Sequence, residues 1–324
     1  MAKEIKSIGV LTSGGDAPGM NAAVRAIVRA GITKGYRMIG VQRGYNGLIN
    51  GECYEMNVRS VSEIIHRGGT ILYTARCLEF KTREGQAKGV ARCKELGIDA
   101  LVVIGGDGSF MGARALSNQG IPCIGIPGTI DNDIACSEYT IGYDTAMNTA
   151  VEAIDKLRDT TQSHDRCSVV EVMGHHAGYI ALNVGIATGA LAVLLPERPF
   201  DFERDILERM RQTQATGKKH FIIIVSEGVI SAQDLANQIQ AATGVDSRAT
   251  VLGHIQRGGS PTVRDRVNAS LMGYHAIDLL DRGIYNRVVA VSGGKIVDYD
   301  VNVALSMHKT IDDSEIEVAN SISI

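Results

Sequence analysis

The residues best suited to chemistry are aspartates set among glycines directly after short apolar runs. Gly105-Gly106-Asp107-Gly108-Ser109 follows Leu101–Ile104, putting one carboxylate among exposed backbone N–H groups. Such a setting suits a magnesium ion carried on a nucleotide, because magnesium is held by one or two carboxylates plus phosphate oxygens. A plain Asp-Gly turn would read the same way without a ligand. Pro127-Gly128-Thr129-Ile130-Asp131-Asn132-Asp133 follows Ile124–Ile126 and carries two carboxylates at i and i+2. Like charges that close are unfavourable unless something positive lies beside them. A general base next to a metal-side carboxylate accounts for the pair, and so does a solvated turn. The third loop, Thr12–Asn21, opens on Gly14-Gly15-Asp16 and closes on Gly19. It is no Walker A loop, since Met20 stands where the lysine belongs, and no dinucleotide fingerprint, since Asp16 stands where the second glycine belongs. An ordinary strand-to-helix turn explains it equally well on its own.

Positioning such loops requires strands that end at them. Ile8–Leu11, Leu101–Ile104, Ile124–Ile126, Phe221–Val225 and Val288–Val291 are short apolar runs, each followed by glycine. Runs apolar on both faces belong to parallel sheets covered on both sides. Between them, Val24, Ile27, Val28 and Gly31, then Met147, Ala150, Val151 and Ile154, repeat at helical spacing. Strand and helix alternate, so the expected fold is doubly wound α/β. Residues 7–19 are echoed in pattern by 168–178, and 97–109 by 217–228. The expectation is two similar Rossmann-like lobes, mostly parallel sheets covered by helices, with an active-site cleft between them. The tail from about Lys309 reads as a polar surface element.

Composition narrows the class. The 324 residues exceed the ~150 of one typical domain. Lysine plus arginine number 33 against 36 acids, a net charge of −3, which argues against nucleic-acid or membrane-surface partners. No apolar run approaches the ~20 residues needed to span a bilayer. The opening Met1-Ala2-Lys3-Glu4 lacks the apolar core of a secretory signal, so a cytoplasmic location is expected. The cysteines at 53, 77, 93, 123, 136 and 167 form no C-x-x-C pair and read as reduced thiols.

Five ordered segments carry a family resemblance over nearly the whole chain: Gly9–Arg25, Gly105–Ser109, Pro127–Asp133, Val169–Gly174 and Arg248–Pro261. Together they resemble the bacterial 6-phosphofructokinases. The resemblance implies phosphoryl transfer from Mg-ATP to the 1-hydroxyl of fructose 6-phosphate, the committed step of glycolysis. It implies an ATP-binding lobe of 1–138 plus about 251–301, and a fructose 6-phosphate lobe of 139–250 plus about 302–324. Asp131 would then be the base, Asp107 would hold Mg²⁺, and Asp133 would shape the acidic cluster. Arg76 and Thr129 would bond the transferring group. Gly15, Gly106, Gly108 and Ser109 would receive the nucleotide phosphates, with Cys77 lining that pocket. Arg166, Arg248, His254 and Arg257 would take the 6-phosphate, the first two from a neighbouring subunit of a homotetramer. Glu227 would bond sugar hydroxyls, and Met173, Gly174 and His175 would lie along the sugar. Pyrophosphate-dependent relatives typically carry an acidic residue at 108 and a lysine at 128. Glycine at both positions points to ATP, leaving the pyrophosphate-dependent enzyme as the rival reading.

The resemblance also implies an effector pocket for ADP or phosphoenolpyruvate, formed by Arg25, Arg29, Arg59, Ser62, Arg158, Gly189, Lys218, Lys219 and His220. Here the chain departs from the family pattern. Leu191 replaces a usual acid and Thr216 a usual base, which puts ADP activation in question. At the active site His175 replaces an arginine common after Met-Gly, supplying less charge near the phosphates.

Overall fold

The computed structural model describes Glu4–Ser323; Met1–Lys3, read above for an export signal, lie outside the described residues. The chain divides into two compact units. One runs to Ile130 and takes up Ile134–Thr145 and Arg257–Lys309; the other comprises Asp131–Asp133, Ala146–Gln256 and the chain from Thr310 onward.

Strands β1 (Ser7–Thr12), β2 (Arg37–Val41), β3 (Cys53–Met56), β4 (Ala100–Gly105) and β5 (Cys123–Pro127) lie in the first unit. Strands β6 (Cys167–Val172), β7 (Ala192–Leu194), β8 (Phe221–Ser226) and β9 (Ser247–Val251) lie in the second. Strands β10 (Arg287–Ser292) and β11 (Lys295–Asp300) return to the first.

The first sheet runs β11-β10-β5-β4-β1-β2-β3. It is parallel except where β3 and β11 close its two edges antiparallel. Every residue of β1 and β4 is buried, as continuous apolar runs covered on both faces should be. Each fully buried Ile, Leu or Val there contributes about 1.5–3 kcal/mol. The edge strands are more exposed and carry Glu55, Asp298 and Asp300, which discourages pairing with another chain. The chain leaves β1 toward β2 on one side and β4 toward β5 on the other. The strand order therefore reverses between β1 and β4, where doubly wound sheets bind ligands outside the strands' carboxyl ends.

The second sheet runs β7-β8-β6-β9 and is wholly parallel. Its order reverses between β6 and β8. The strands that echo one another in sequence, β1 with β6 and β4 with β8, are thus the adjacent pair at the reversal point of each sheet.

Helices fill the faces by the spacing read above. Helix Met20–Thr33 buries Val24, Ile27, Val28 and Gly31, and a Cβ on Gly31 would fall 2.2 Å from the Met38 sulfur. Gly273 lets helix Val263–Asp281 approach it, its missing Cβ falling 2.9 Å from the Ala23 carbonyl oxygen. The C-terminal tail is more ordered in type than its polarity suggests: Asp312 caps helix Asp313–Ser321 by accepting from Ser314 N–H. All six cysteines are unpaired, and burial pushes the Cys93 thiol up to about 12. Among the described residues no helix is long and apolar enough to cross a membrane.

Candidate active site

In the first unit the three glycine loops meet at the carboxyl ends of β1, β4 and β5. Ser13 N–H donates to the Ile104 carbonyl at 2.9 Å, and Gly128 N–H to the Gly105 carbonyl at 3.0 Å. The segment bearing Arg76 and Cys77 is tied to the same place. The Thr74 hydroxyl donates to the Gly14 carbonyl, and the Thr12 hydroxyl to the Tyr73 carbonyl, both at 2.7 Å. Gly14 has φ +90°, a conformation costly for any residue with a Cβ. A Cβ on Gly105 would fall 2.4 Å from the Ser13 carbonyl oxygen. Arg76 is exposed, whereas Cys77 is half-buried against the core.

Asp107 opens helix Asp107–Ser117, with Gly106 extended before it. The N–H groups of a helix's first turn have no intrahelical acceptor and favour an anion. Asp107 and Gly108 are exposed at this mouth, while Ser109 is buried and its carbonyl accepts from the Tyr45 hydroxyl at 2.6 Å. Gly15 faces Arg257: a Cβ there would fall 2.1 Å from Arg257 Nη1. Among the described residues no three His, Cys, Asp or Glu side chains gather into a cation cage. The donor set here is one carboxylate beside the amides of a helix start, which fits magnesium brought on a nucleotide rather than a resident ion. The two glycines of the donor argument do different work. A Cβ on Gly108 meets nothing within 4 Å, whereas one on Gly128 falls 3.0 Å from Ile104 and 3.1 Å from Met20. Position 108 faces open space, and position 128 has no room for a lysine.

Beyond β5, Thr129 is held through its carbonyl, which accepts from the Thr140 hydroxyl at 2.7 Å. Ile141 N–H donates to the Pro127 carbonyl and forms a bridge with Gly128. The stretch 139–145 that supplies these contacts is fastened by Asp265, a fully buried carboxylate. Asp265 accepts from Gly142 N–H at 2.7 Å, from Thr145 N–H at 2.9 Å, and from the Tyr139 and Thr145 hydroxyls.

In the second unit Asp131 is 8% exposed and precedes Asn132, whose φ of +53° lies in the left-handed region. Asn tolerates that region better than most residues, and the turn separates the two aspartates. Asp133 Oδ2 lies 3.9 Å from His175 Nδ1. His175, also left-handed at +58°, lies against His176 with ring centroids 4.3 Å apart and the planes tilted by 45°. After β6, Met173 N–H donates to Gln256 Oε1 at 2.8 Å. Gly174 is required by close approach, since its Cβ would fall 2.3 Å from the Ala177 carbonyl oxygen. After β8, Glu227 N–H donates to the Val172 carbonyl at 2.9 Å. Met173, Gly174 and Glu227 therefore flank the reversal point of this sheet, and His254 is exposed beyond β9.

Arg166 and Arg248 lie elsewhere. Arg166 precedes β6 while Met173 follows it, and Arg248 pairs with Ser168 at the start of the neighbouring strand. At ~3.3 Å per residue the six residues of β6 separate the two groups by ~20 Å. Arg166 and Arg248 instead share Asp246, at 2.6 and 3.1 Å.

A phosphofructokinase family model matches residues 7–280. The chain belongs to the phosphofructokinase family. It is 53% identical over 319 residues to the ATP-dependent 6-phosphofructokinase of Clostridium botulinum strain Hall, covering 98% of this chain and 100% of that one. It is 54% identical over the same length to ATP-dependent 6-phosphofructokinase 1 of Clostridium perfringens, again covering 98% of this chain and 100% of the relative. The phosphofructokinase structure of Saccharomyces cerevisiae superposes with a TM-score of 0.88 at 33% identity, covering 98% of this chain. This chain spans 48% of the length of that yeast chain.

The basic residues outside the glycine loops fall in both units. Arg25 and Arg29 lie half-buried on helix Met20–Thr33, while Arg59 is exposed and Ser62 half-buried in the turns after β3. In the second unit Arg158 donates to the Thr188 carbonyl beside Gly189. Burial and the neighbouring Arg158 push the Lys218 ammonium below its usual value, and burial, Lys218 and Arg158 do the same to His220. Lys219 follows in the same exposed turn before β8. Sequence reasoning missed Asp246, Gln256, Asp265 and Thr74; Gln256 lies inside the Arg248–Pro261 segment but between its cationic residues, and the other three lie in none of the five segments. Only Asp265 had a local signal, the Thr262-x-x-Asp265 helix start, in which the Thr262 hydroxyl accepts from Asp265 N–H.

Proposed function

We propose that the chain transfers the γ-phosphoryl group of ATP to the 1-hydroxyl of fructose 6-phosphate, with Asp131 as the base. The observation that carries this reading is the meeting of the Gly15, Gly105–Ser109 and Gly128 loops at the reversal point of the first sheet, from which the chain runs on through Thr129 to Asp131. The sugar oxygen attacks the γ-phosphorus, the bond to the β-γ bridging oxygen breaks, and the hydroxyl proton passes to Asp131. A carboxylate is a weak base toward an alcohol, so the proton moves late, as the new bond forms. Gly15, Gly106, Gly108 and Ser109 bind the nucleotide phosphates, with Cys77 beside them. Arg76 and Thr129 bond the transferring group, where charge spreads over equatorial oxygens. Asp107 holds magnesium and Asp133 completes the acidic cluster; the ion neutralises phosphate charge when bound.

Glu227, Met173, Gly174, His175, His254 and Arg257 bind the sugar phosphate. Arg166 and Arg248 serve the same ligand from a neighbouring subunit of a homotetramer. Their separation from Met173 and Glu227 along β6 supports this reading, since one chain cannot close both groups on a single sugar. The effector residues are Arg25, Arg29, Arg59, Ser62, Arg158, Gly189, Lys218, Lys219 and His220, and the ligand they serve is anionic, ADP or phosphoenolpyruvate. The enzyme works in the cytoplasm.

The test is a coupled fructose 1,6-bisphosphate assay with ATP and pyrophosphate compared as donors. Product with ATP alone is expected; product only with pyrophosphate would overturn the donor assignment, and none with either would overturn the activity. Gly108→Asp sharpens it. The new side chain has space, so the fold should hold, but its charge enters the nucleotide site. kcat/KM for ATP is expected to fall about 100-fold with the KM for fructose 6-phosphate little changed. His175→Arg restores a permanent cation beside Asp133 and is expected to lower the KM for fructose 6-phosphate by about two- to fivefold, the scale of one exposed charge contact. Unchanged constants would remove His175 from substrate binding.

A further inference from the structure

Two guanidinium groups held in one place repel each other, so a phosphate site built from a pair of arginines needs something to keep them together. Asp246 lies between Arg166 and Arg248. Arg166 Nε donates to Asp246 Oδ2 at 2.6 Å, and Arg248 Nη2 lies 3.1 Å from Oδ1. The backbones carrying all three are fixed. Cys167 N–H donates to the Asp246 carbonyl at 3.0 Å, and Phe221 N–H to the Arg166 carbonyl at 2.9 Å. Next to Asp246, Ser247 is buried, and its N–H donates to Gln240 Oε1 at 3.1 Å. Asp246 itself does not precede a turn motif or a glycine loop; its side chain is half-exposed between its two partners.

We propose that Asp246 is a positioning residue that holds Arg166 and Arg248 as a single phosphate-binding pair. The inference rests on the reading of those arginines as ligands of the 6-phosphate. A guanidinium has five N–H donors in a rigid fork. Asp246 occupies the Nε side of Arg166 and one terminal nitrogen of Arg248. Both terminal nitrogens of Arg166 and the far edge of Arg248 remain to meet a phosphate in the two-pronged geometry that arginine favours. The bond from Arg166, with Arg248 adding its charge, holds the Asp246 carboxyl below its usual range, so the arrangement persists through mildly acidic pH. The carboxylate lowers the net charge of the patch, but it spares each arginine the ordering that an incoming phosphate would otherwise impose.

The test is saturation kinetics on Asp246→Ala, Asp246→Asn, Arg166→Ala, Arg248→Ala and the Asp246→Ala/Arg248→Ala double variant. Asp246→Ala is expected to raise the KM for fructose 6-phosphate about tenfold, with kcat and the KM for ATP within about twofold, as loss of an orienting partner does. Asp246→Asn keeps the shape and one acceptor and should fall between, which also guards against misfolding of the alanine variant. In the Arg248→Ala background, Asp246→Ala should add less than it does alone, because half of what it orders is gone. If both arginine variants raise KM and Asp246→Ala leaves it unchanged or lowers it, Asp246 is not an organiser and the proposal falls. If neither arginine variant raises KM, the assignment of the 6-phosphate arginines fails, and the proposal with it.

Discussion

Asp131→Ser is expected to lower kcat by at least ~10²-fold while the KM values for fructose 6-phosphate and ATP stay within a few-fold. Serine keeps a small polar side chain at a position only 8% exposed, so the turn through Asn132 should survive. It has no group able to accept a proton near neutral pH. Residual turnover would come from positioning and charge stabilisation, which the loops around Gly105 and Gly128 supply independently. The informative readout is the split between kcat and KM. Loss of binding with turnover preserved would move Asp131 out of the base role and make it a ligand of the sugar hydroxyl. Equal loss in Asp133→Ser would show that the pair acts through its joint charge, with no assigned base.

The three glycine loops were legible because each is a run of consecutive residues whose types are dictated by backbone geometry. Gly14 is glycine for its positive φ, and Gly105 for the close approach of the Ser13 carbonyl. The strands were legible for a related reason: β1 and β4 are buried along their whole length, so nothing polar interrupts them. Other features could not be read from one dimension. That Arg166 and Arg248 lie at the opposite end of β6 from Met173 depends on strand register, which no local pattern reports. That Gly108 opens on space while Gly128 is packed against Ile104 and Met20 depends on what the fold brings to each. Asp246 and Gln256 are single polar residues that reach Arg166 and Met173 across 80 and 83 positions; their meaning is created by the fold.

The same reasoning makes Asp265→Ala the largest structural effect expected in this chain. Asp265 Oδ1 accepts from the Tyr139 hydroxyl and Gly142 N–H, and Oδ2 from Thr145 N–H and the Thr145 hydroxyl. Alanine would remove the acceptor of these four hydrogen bonds from a fully buried position, a loss of about 3–5 kcal/mol. For a chain of this size that corresponds to a melting midpoint lower by roughly 10 °C, measured at fixed protein concentration. The effect should reach the site. The segment 139–145 holds Thr129 through Thr140 and runs beside Pro127 and Gly128, so kcat should fall even at temperatures where the variant is folded. Burial raises the Asp265 carboxyl above its usual value of 3.8, although its hydrogen-bond donors pull the other way. The folded protein therefore holds this proton more tightly than the unfolded chain does, and as pH rises through the window just above 3.8 the native protein loses part of that advantage. Alanine has no such proton, so the stability gap between the two proteins should narrow across that window. A variant that melts within 2 °C of the native protein and turns over at its rate would show that the 139–145 segment is held in place by its other contacts, and that Asp265 only fills space beneath it.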